Sequence, residues 1–388
     1  MLRNFLTKTY RTIQRPRHHS TFKTSSNHLY PFAFNTQKQP LLIDVSCNIA
    51  DPQLKHRQNE HFQNATNAGI HAMLVPSSSV SSCHDILHLT QQIKQRNNTT
   101  KPSIESMDGE HWGTVVAGNV KTWQLDTNRH AKKSNEGIKW RIKYNYFPKI
   151  FTTAGIHPFE TDRIQDTKTT MTQIEKLAKM HPNSITAIGE CGLDFSPGFP
   201  SHVKQTEIFQ QHVQLAIHLQ LPLFLHVRDA FQETFEILDQ ASSTLTSNKT
   251  MPPIIIHCFT GTETDLNECM QRGYKISLSG LICRTNKQGK DLCQAVKNIF
   301  VNNKNNPSFN YNNTNTTIQN SIMVETDAPY LGFKHCRTGY VHDSKKTRPN
   351  VPSSLPLIVQ QLANILEEEV EDVAIKTRNA AVSFFGKR

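Results

Sequence analysis

Histidines and carboxylates recur in this 388-residue sequence at the ends of short apolar runs. In a parallel barrel, the residues at the carboxyl ends of the strands face one common mouth, so side chains far apart in sequence would meet there. Imidazole nitrogens and carboxylate oxygens are donors that suit Zn, Mn and Mg ions. The residues at these ends are His157, Glu190, His226, His257, Glu325 and Asp327, with Asp44 and Asn48 as weaker candidates after the first run.

A histidine in one apolar run, such as His226 within Leu221–Val227, is by itself more often a hydrogen-bonded core residue than a ligand. Its repetition on several runs that share a mouth changes this balance, because two imidazoles and two carboxylates form a ligand set that leaves positions open for water. The sequence therefore predicts a centre for one or two divalent ions, Mg, Mn or Zn. Such an ion lowers the pKa of water from about 16 toward about 7, which favours hydrolysis at neutral pH.

Eight short apolar runs, each followed by a helical pattern, predict the elements that carry these side chains. This number matches a closed (β/α)8 TIM barrel of the α/β class. One helix has a start signal, since Thr262 lies three residues before Asp265, and a stop signal at Gly273. The predicted strands are Leu41–Cys47, His71–Pro76, Phe151–Gly155, Ile185–Gly189, Leu221–His226, Ile254–Cys258, Tyr274–Leu278 and Ile322–Glu325.

Three segments fall outside this βα pattern. Residues 1–40 are rich in Arg, Lys, Ser and Thr and contain no acid, which is typical of a disordered mitochondrial targeting leader. The barrel is predicted over residues 41–388, with an insertion at 98–150 before the third strand and an Asn-rich, low-complexity loop at 302–320 before the eighth. Both insertions are expected to be surface loops.

The net charge of +11 is concentrated in two of these segments. Residues 1–43 carry seven Lys or Arg and no acid, and residues 98–150 carry nine basic and five acidic residues. The rest of the chain is close to neutral, so charge alone is a weak argument for a nucleic-acid partner. No stretch approaches the roughly 20 consecutive apolar residues of a membrane-spanning helix, and no membrane association is predicted.

Five motifs, in order, resemble those of the TatD-like DNase family, and the resemblance covers the chain from about residue 41 to its end, apart from the two insertions. A sixth segment, Arg348-Pro349-Asn350-Val351-Pro352, is similar to a turn of the same family. The five are Gly155-Ile156-His157-Pro158, Ile188-Gly189-Glu190-Cys191-Gly192-Leu193-Asp194, Leu225-His226-Val227-Arg228-Asp229-Ala230, His257-Cys258-Phe259-Thr260-Gly261 and Glu325-Thr326-Asp327-Ala328-Pro329-Tyr330-Leu331.

The resemblance implies a metal-dependent phosphodiesterase of the amidohydrolase type. It implies that Glu190 bridges two metals, that His226 and His257 bind one of them, and that Asp327 binds the other and serves as the base toward water. His157 and Arg228 would contact the phosphate. The planar fork of Arg228 suits the two oxygens of a phosphodiester, although it could instead pair with Glu190 or Asp229.

The first motif departs from the pattern of many family members. Those members have Asp-x-His-x-His, whereas this sequence has Asp44-Val45-Ser46-Cys47-Asn48 and so replaces both histidines. It is similar to a branch whose motif ends in Asn-Leu-Thr-Asp, since Asn48-Ile49-Ala50-Asp51 follows that form. Neutral Ser and Asn bind metal more weakly than imidazole, so the second ion is expected to bind only with substrate or not at all.

The leading hypothesis is a deoxyribonuclease, acting as a 3′-5′ exonuclease on DNA inside mitochondria, with the cytoplasm or nucleus as the alternative location. A second hypothesis keeps the site but changes the substrate to an ester on tRNA, as in a D-aminoacyl-tRNA deacylase, or to a small cyclic amide. A third is a catalytically silent binding paralogue, which the missing first-strand histidines suggest. The sequence does not indicate the oligomeric state or the identity of the metal.

Overall fold

The computed structural model describes most of the predicted barrel. The described residues are 42–100, 103–106, 112–114, 140–143, 147–245, 249–302, 318–337 and 349–386. The predicted leader, most of the Asn-rich loop, and Arg348 lie outside them.

Eight parallel strands form one sheet in the order β1-β2-β6-β7-β8-β9-β10-β11. This arrangement confirms the predicted (β/α)8 barrel, although the strand ends differ from those expected. The fourth barrel strand continues five residues beyond Gly189, so Glu190 lies inside it. The strands are β1 Leu42–Asp44, β2 Ile70–Val75, β6 Lys149–Ala154, β7 Ile185–Asp194, β8 Leu223–Arg228, β9 Ile254–Ile256, β10 Lys275–Leu278 and β11 Ile322–Val324.

Helices alternate with these strands and cover the outside of the sheet. Thr262 caps a helix at Glu263–Gln271 through a reciprocal bond pair with Asp265, as the sequence predicted. The α-helices are α1 Pro52–Lys55, α2 Gln58–Asn67, α3 Val80–Thr99, α4 Thr167–Met180, α5 His202–Leu219, α6 Phe231–Ser243, α7 Glu263–Gln271, α8 Lys287–Lys297, α9 Ile318–Ser321, α10 Leu355–Leu366 and α11 Val370–Phe385. Short 3-10 helices span Pro158–Arg163, Gly280–Cys283 and Pro352–Ser354, and a π-helical turn spans Asn298–Asn302.

A separate apolar cluster fills the barrel interior. Phe224, Ile255 and Met323, one from each of three strands, belong to it together with Ala381 and Phe384 of α11. Successive side chains of a strand alternate between its two faces. The residues two positions further toward the carboxyl end therefore point the same way, and these are His226, His257 and Glu325.

Backbone hydrogen bonds join the chain at the ends of the first and last strands. The Val45 amide donates to the Val324 carbonyl at 3.2 Å, and the Asp327 amide donates to the Ser46 carbonyl at 2.8 Å. The β1 strand is only three residues long, so these bonds close the barrel where a regular ladder ends. They also bring the residues after β1 next to Asp327.

The expectation that the insertion consists of loops is wrong for part of it. A three-stranded antiparallel sheet occurs there, built from β3 Ser103–Ser106, β4 Trp112–Thr114 and β5 Trp140–Lys143, with β3 in the middle. Each strand has three or four residues, which is too short for alternation to be detected in the sequence. The insertion also begins later than expected, because α3 extends to Thr99. Among the helices that the structure describes, none combines the length and apolar character needed to cross a bilayer.

Candidate metal centre

Glu190 is the centre of a group of histidines at the barrel mouth. Its Oε1 atom lies 2.7 Å from Nε2 of His257, 3.2 Å from Nδ1 of His226 and 3.2 Å from Nε2 of His157. Glu190, His157 and His257 are buried, and His226 is partly buried. The structure thus brings together four of the residues that the sequence singled out.

Two glycines allow β7 to carry Glu190 so close to its neighbours. Gly189 and Gly192 have φ values of +142° and +134°, which L side chains rarely adopt. A Cβ atom at Gly192 would lie 2.1 Å from the carbonyl oxygen of His226, and one at Gly189 would lie 2.2 Å from that of Phe224. The β7–β8 register shifts between Ile188 and Cys191, so Glu190 lies at an irregularity of the sheet.

A carboxylate lies behind each of two imidazoles, and the one behind His226 is at hydrogen-bond distance. Nε2 of His226 lies 2.9 Å from Oδ2 of Asp194, and Nδ1 of His257 lies 3.5 Å from Oε1 of Glu325. Ser277 donates to the other oxygen of Glu325 at 2.6 Å. A carboxylate behind a histidine fixes which ring nitrogen carries the proton and leaves the other as a metal donor. The nitrogens left facing Glu190 are Nδ1 of His226 and Nε2 of His257.

His157 completes the tightest group. One ligand atom each from His157, Glu190 and His226 lies within 4.8 Å of the other two, and this is the group of potential ligands found in the described part of the chain. Nδ1 of His157 accepts a hydrogen bond from the Phe159 amide at 3.1 Å, so Nε2 is the nitrogen that faces the site. The resemblance gave His157 a role in contacting substrate; its position is equally that of a ligand.

Asp327 lies on the other side of the mouth. Its Oδ1 accepts hydrogen bonds from Nδ2 of Asn48 at 3.2 Å and from Oγ of Ser46 at 3.4 Å. Burial raises the pKa of Asp327 to about 7, and the charges of Glu325 and Glu190 act in the same direction. An acid with this pKa is suited to exchange a proton with water near neutral pH.

Two of the predicted site residues lie apart from this group. Asp44 is buried, and its two carboxylate oxygens accept bonds from the Thr326 amide at 2.9 Å and the Thr326 hydroxyl at 2.6 Å. It therefore positions the segment that carries Asp327. Arg228 is exposed at the end of β8 and forms no ion pair within the described residues, with neither Glu190 nor Asp229.

The electrostatics of the group favour a positive charge beside Glu190. Burial opposes ionisation of Glu190, but the neighbouring His257 and His157 outweigh it and hold its pKa well below the usual range. Burial likewise opposes a proton on His257, yet the charges of Glu190 and Glu325 raise its pKa well above the usual value. The pKa of His226 is also raised, by Asp194 and Glu190 against the effect of burial, whereas burial lowers that of His157.

These residues fit a divalent ion. A carboxylate and three imidazoles provide the mixed nitrogen and oxygen donors of Zn and Mn sites. Two imidazoles have carboxylate partners on their far nitrogens, and a cation would meet the negative potential that otherwise draws protons onto the rings. His157, Glu190 and His226 form the group whose ligand atoms could share an ion, and His257 lies 2.7 Å from the same Glu190 oxygen.

Sequence reasoning assigned no role to Asp194 and did not pair Glu325 with His257. Both residues belong to the motifs that resemble the family, and Glu325 was predicted to lie at the mouth. The signal that could have identified Asp194 is strand alternation, because Asp194 is four residues after Glu190 on the same long strand.

The family profile described as TatD related DNase matches residues 43–386. One relative, the "3'-5' ssDNA/RNA exonuclease TatD" of Citrobacter rodentium, is 30% identical over 242 residues, covering 62% of this chain and 79% of its own. The protein of the same name from Salmonella typhimurium is 29% identical over 271 residues, covering 70% of this chain and 90% of its own.

Solved structures with the same fold include the TatD homologue YJJV from Escherichia coli K12. It has a TM-score of 0.61 and 17% sequence identity, covering 90% of this chain and 99% of its own. A TatD family hydrolase from Entamoeba histolytica has a TM-score of 0.61 at 16% identity, covering 89% of this chain and 98% of its own. At this identity, the likeness shows the barrel fold.

Proposed function

Since the chain belongs to the TatD related DNase family, we propose that it is a metal-dependent nuclease that removes nucleotides from the 3′ end of single-stranded DNA by hydrolysing phosphodiester bonds. The observation that carries the proposal is the convergence of three imidazole nitrogens within 3.2 Å of one carboxylate oxygen of Glu190. These residues come from four different barrel segments, and hydrolytic centres of such barrels lie at this face.

Each residue has a part that follows from its surroundings. Glu190, His226, His257 and Asp327 would hold one or two ions of Mg, Mn or Zn, which when bound make water a nucleophile at neutral pH and stabilise charge on the phosphate. Asp327 would accept the proton of the attacking water, the role that the resemblance implies for it; burial raises the pKa of its carboxyl to about 7. Asp44 and Asn48 would not bind the first ion. Asp44 accepts a hydrogen bond from the Thr326 amide, and Asn48 donates one to Asp327.

Arg228 and His157 would bind the phosphate. The exposed guanidinium of Arg228 has no ion pair within the described residues, and it offers parallel N–H donors to two phosphate oxygens. His157 has Nε2 directed toward the centre of the site. Because the charge of the barrel is close to neutral, phosphate recognition would depend on these few groups rather than on a basic surface.

The test is digestion of a 5′-labelled single-stranded oligonucleotide by the full chain. The wild type should shorten the labelled strand from its 3′ end, EDTA should abolish this, and Mg, Mn or Zn should restore it to different extents. Glu190→Ala and His226→Ala should remain inactive with every metal. His218→Ala is the control, because His218 is a surface histidine that pairs with Glu175 on the barrel exterior.

Cleavage that continues unchanged after metal removal, or in Glu190→Ala, would refute the assignment. Turnover of aminoacyl-tRNA or of a cyclic amide without cleavage of DNA would show that the same site acts on one of the alternative substrates. Purified protein that contains no metal and cleaves none of these substrates would identify a silent paralogue.

The mitochondrial location rests on residues 1–40, whose basic and acid-free composition fits an import leader. Residues 1–40 fused to a fluorescent protein should direct it to mitochondria, and a variant with the Arg and Lys residues changed to Gln should not. A cytoplasmic or nuclear signal from the unaltered fusion would reject this location.

A further inference from the structure

An exposed aromatic ring lies at the barrel mouth beside the candidate metal centre. Phe159 is 44% exposed and lies two residues after His157, in the 3-10 helix that follows β6. Its ring centroid is 4.5 Å from that of His157. Burying a phenylalanine side chain contributes several kcal/mol to folding, so a ring left this exposed beside a hydrolytic centre is available to a ligand.

A second ring lies on the neighbouring loop. Phe199 is partly buried, and its centroid lies 6.4 Å from that of His157 and 6.5 Å from that of His226, with the latter two planes inclined by 21°. Phe159 therefore lies against His157, and Phe199, from a different segment of the chain, lies near both histidines. We call these two rings the aromatic pair.

Both segments are fixed by hydrogen bonds rather than by the rings themselves. The Phe159 amide donates to Nδ1 of His157 at 3.1 Å. On the other loop, buried Gln205 donates to the carbonyls of Asp194 and Pro200, each at 2.9 Å, and accepts from the Asp194 amide at 2.8 Å. The aromatic pair is therefore positioned before any ligand arrives, which lowers the entropic cost of binding.

The surroundings of the aromatic pair point to one ligand chemistry. Two rings are too small an apolar patch for a protein partner, since such interfaces bury several hundred Å² on each side. The loop that carries Phe199 instead begins next to Arg228, the residue proposed to bind phosphate: the Phe195 amide donates to the Arg228 carbonyl at 3.0 Å. Rings that stack a planar group, placed beside a guanidinium and a hydrolytic centre, match a nucleotide.

We propose that Phe159 and Phe199 form a subsite that stacks the nucleobase adjoining the scissile phosphate. The inference rests on the proposed nuclease function and adds the means by which substrate is held. Every base presents a flat face, so the subsite tolerates all sequences. A base must be unpaired to enter it, so the subsite makes the enzyme selective for single strands and frayed ends.

The test compares Phe159→Ala, Phe159→Leu, Phe159→Tyr and Phe199→Ala with the wild type, using full-length protein at saturating metal. The substrates are a single-stranded oligonucleotide and the same oligonucleotide with abasic sites at its last three 3′ positions. Stacking on one aromatic ring is worth a factor of about 5 to 150 in binding, so KM for the normal strand should rise by that factor in Phe159→Ala and Phe199→Ala. The kcat should change little.

Three comparisons separate stacking from general damage. Phe159→Tyr should retain the wild-type KM because it keeps the aromatic face, whereas Phe159→Leu should resemble the alanine variant. The abasic strand should bind wild type and variants equally. Met180→Ala is the matched control, since Met180 is 61% exposed at the end of α4, on the barrel face opposite the mouth.

Two results would overturn the inference while the wild type still cleaves the normal strand: an unchanged KM in the Phe159 variants, or an equal rise in KM on the abasic strand. The nuclease assignment would survive either result. If the wild type cleaves neither strand, the nuclease assignment and the subsite fail together. Phe199 is partly buried, so its variant counts only if its melting temperature matches that of the wild type. If the melting temperature of the Phe199 variant is lower, the variants of exposed Phe159 alone decide whether the subsite exists.

Discussion

Asp194→Asn should weaken metal binding by reversing the protonation of His226. Asp194 is fully buried, and its Oδ2 lies 2.9 Å from Nε2 of His226. A carboxylate can only accept a hydrogen bond here, so Nε2 carries the proton and Nδ1 remains a donor toward the ion. An Asn amide placed in the same position donates instead, which moves the ring proton to Nδ1 and blocks the nitrogen that faces Glu190.

The size of the effect follows from the geometry. The substitution preserves volume, and Oδ1 can still accept the hydrogen bond from the Ser196 amide at 3.0 Å, so the loop should keep its conformation. Removing the partner of a metal-binding histidine typically costs a factor of about 10 to 100 in metal affinity or activity, which is about 1.4 to 2.7 kcal/mol. The substitution leaves Glu190 and His257 unchanged, so binding should weaken rather than disappear.

The assay is titration of metal-free protein with Zn or Mn, followed by DNA cleavage over the same range of metal concentration. Asp194→Asn should shift both curves to higher metal by the same factor. Asp166→Asn is the control, because Asp166 caps α4 on the surface and contacts no site residue. Wild-type metal affinity and activity in folded Asp194→Asn protein would refute the argument that this carboxylate sets the tautomer.

Three further outcomes are expected. Gly192→Ala should lower the free energy of unfolding by more than about 3 kcal/mol, because its Cβ would lie 2.1 Å from the His226 carbonyl oxygen at a φ of +134°; urea unfolding that matches the wild type would contradict this. Thr326→Val should cost about 1.5 to 3 kcal/mol in the same measurement, since buried Asp44 loses the hydroxyl donor at 2.6 Å, and a loss below about 0.5 kcal/mol would argue against the role of this bond. Burial lowers the pKa of His212 to about 4, so the unfolded chain binds the extra proton between pH 6.5 and pH 4 and stability should fall by up to about 3 kcal/mol as pH decreases through that window. His212→Gln should reduce this slope in urea unfolding at a series of pH values, and an unchanged slope would assign the dependence to other groups.

The residues at the mouth could be predicted because the carboxyl end of every barrel strand lies at the same mouth. Each candidate follows a short apolar run, and parallel strands place all such ends on one face. His226 and His257 could be predicted as ligands only together with the candidates on the other strands, and the structure confirms that they point the same way as the interior residues Phe224 and Ile255. The eight-stranded topology followed from the same runs.

The contacts between candidates could not be predicted in this way. Asp194 and His226 are 32 residues apart, and their pairing depends on the β7–β8 register, which shifts within β7. The register is determined by where Gly189 and Gly192 allow close approach, and no run of residue types encodes this. The same limitation applies to Asp44, which looked like a ligand from its place after an apolar run and instead binds Thr326, 282 residues away.

The replacement of histidines at positions 46 and 48 changes one side of the site and leaves the other intact. On the Glu190 side, three imidazoles remain, and two have carboxylate partners, so a first ion needs nothing from β1. On the other side, Ser46 and Asn48 both direct their donors to Oδ1 of Asp327. Two donors on one oxygen orient the carboxylate.

Positions 46 and 48 therefore act on Asp327 rather than on an ion. A second ion would find one carboxylate and neutral groups there, which is a weaker site than two imidazoles would provide. Phosphate oxygens supplied by a bound substrate would complete its coordination, so occupancy of this side should follow substrate binding. With Ser46 and Asn48 in the first motif, a second ion would bind more weakly than the first, and the loss of catalysis does not follow from that.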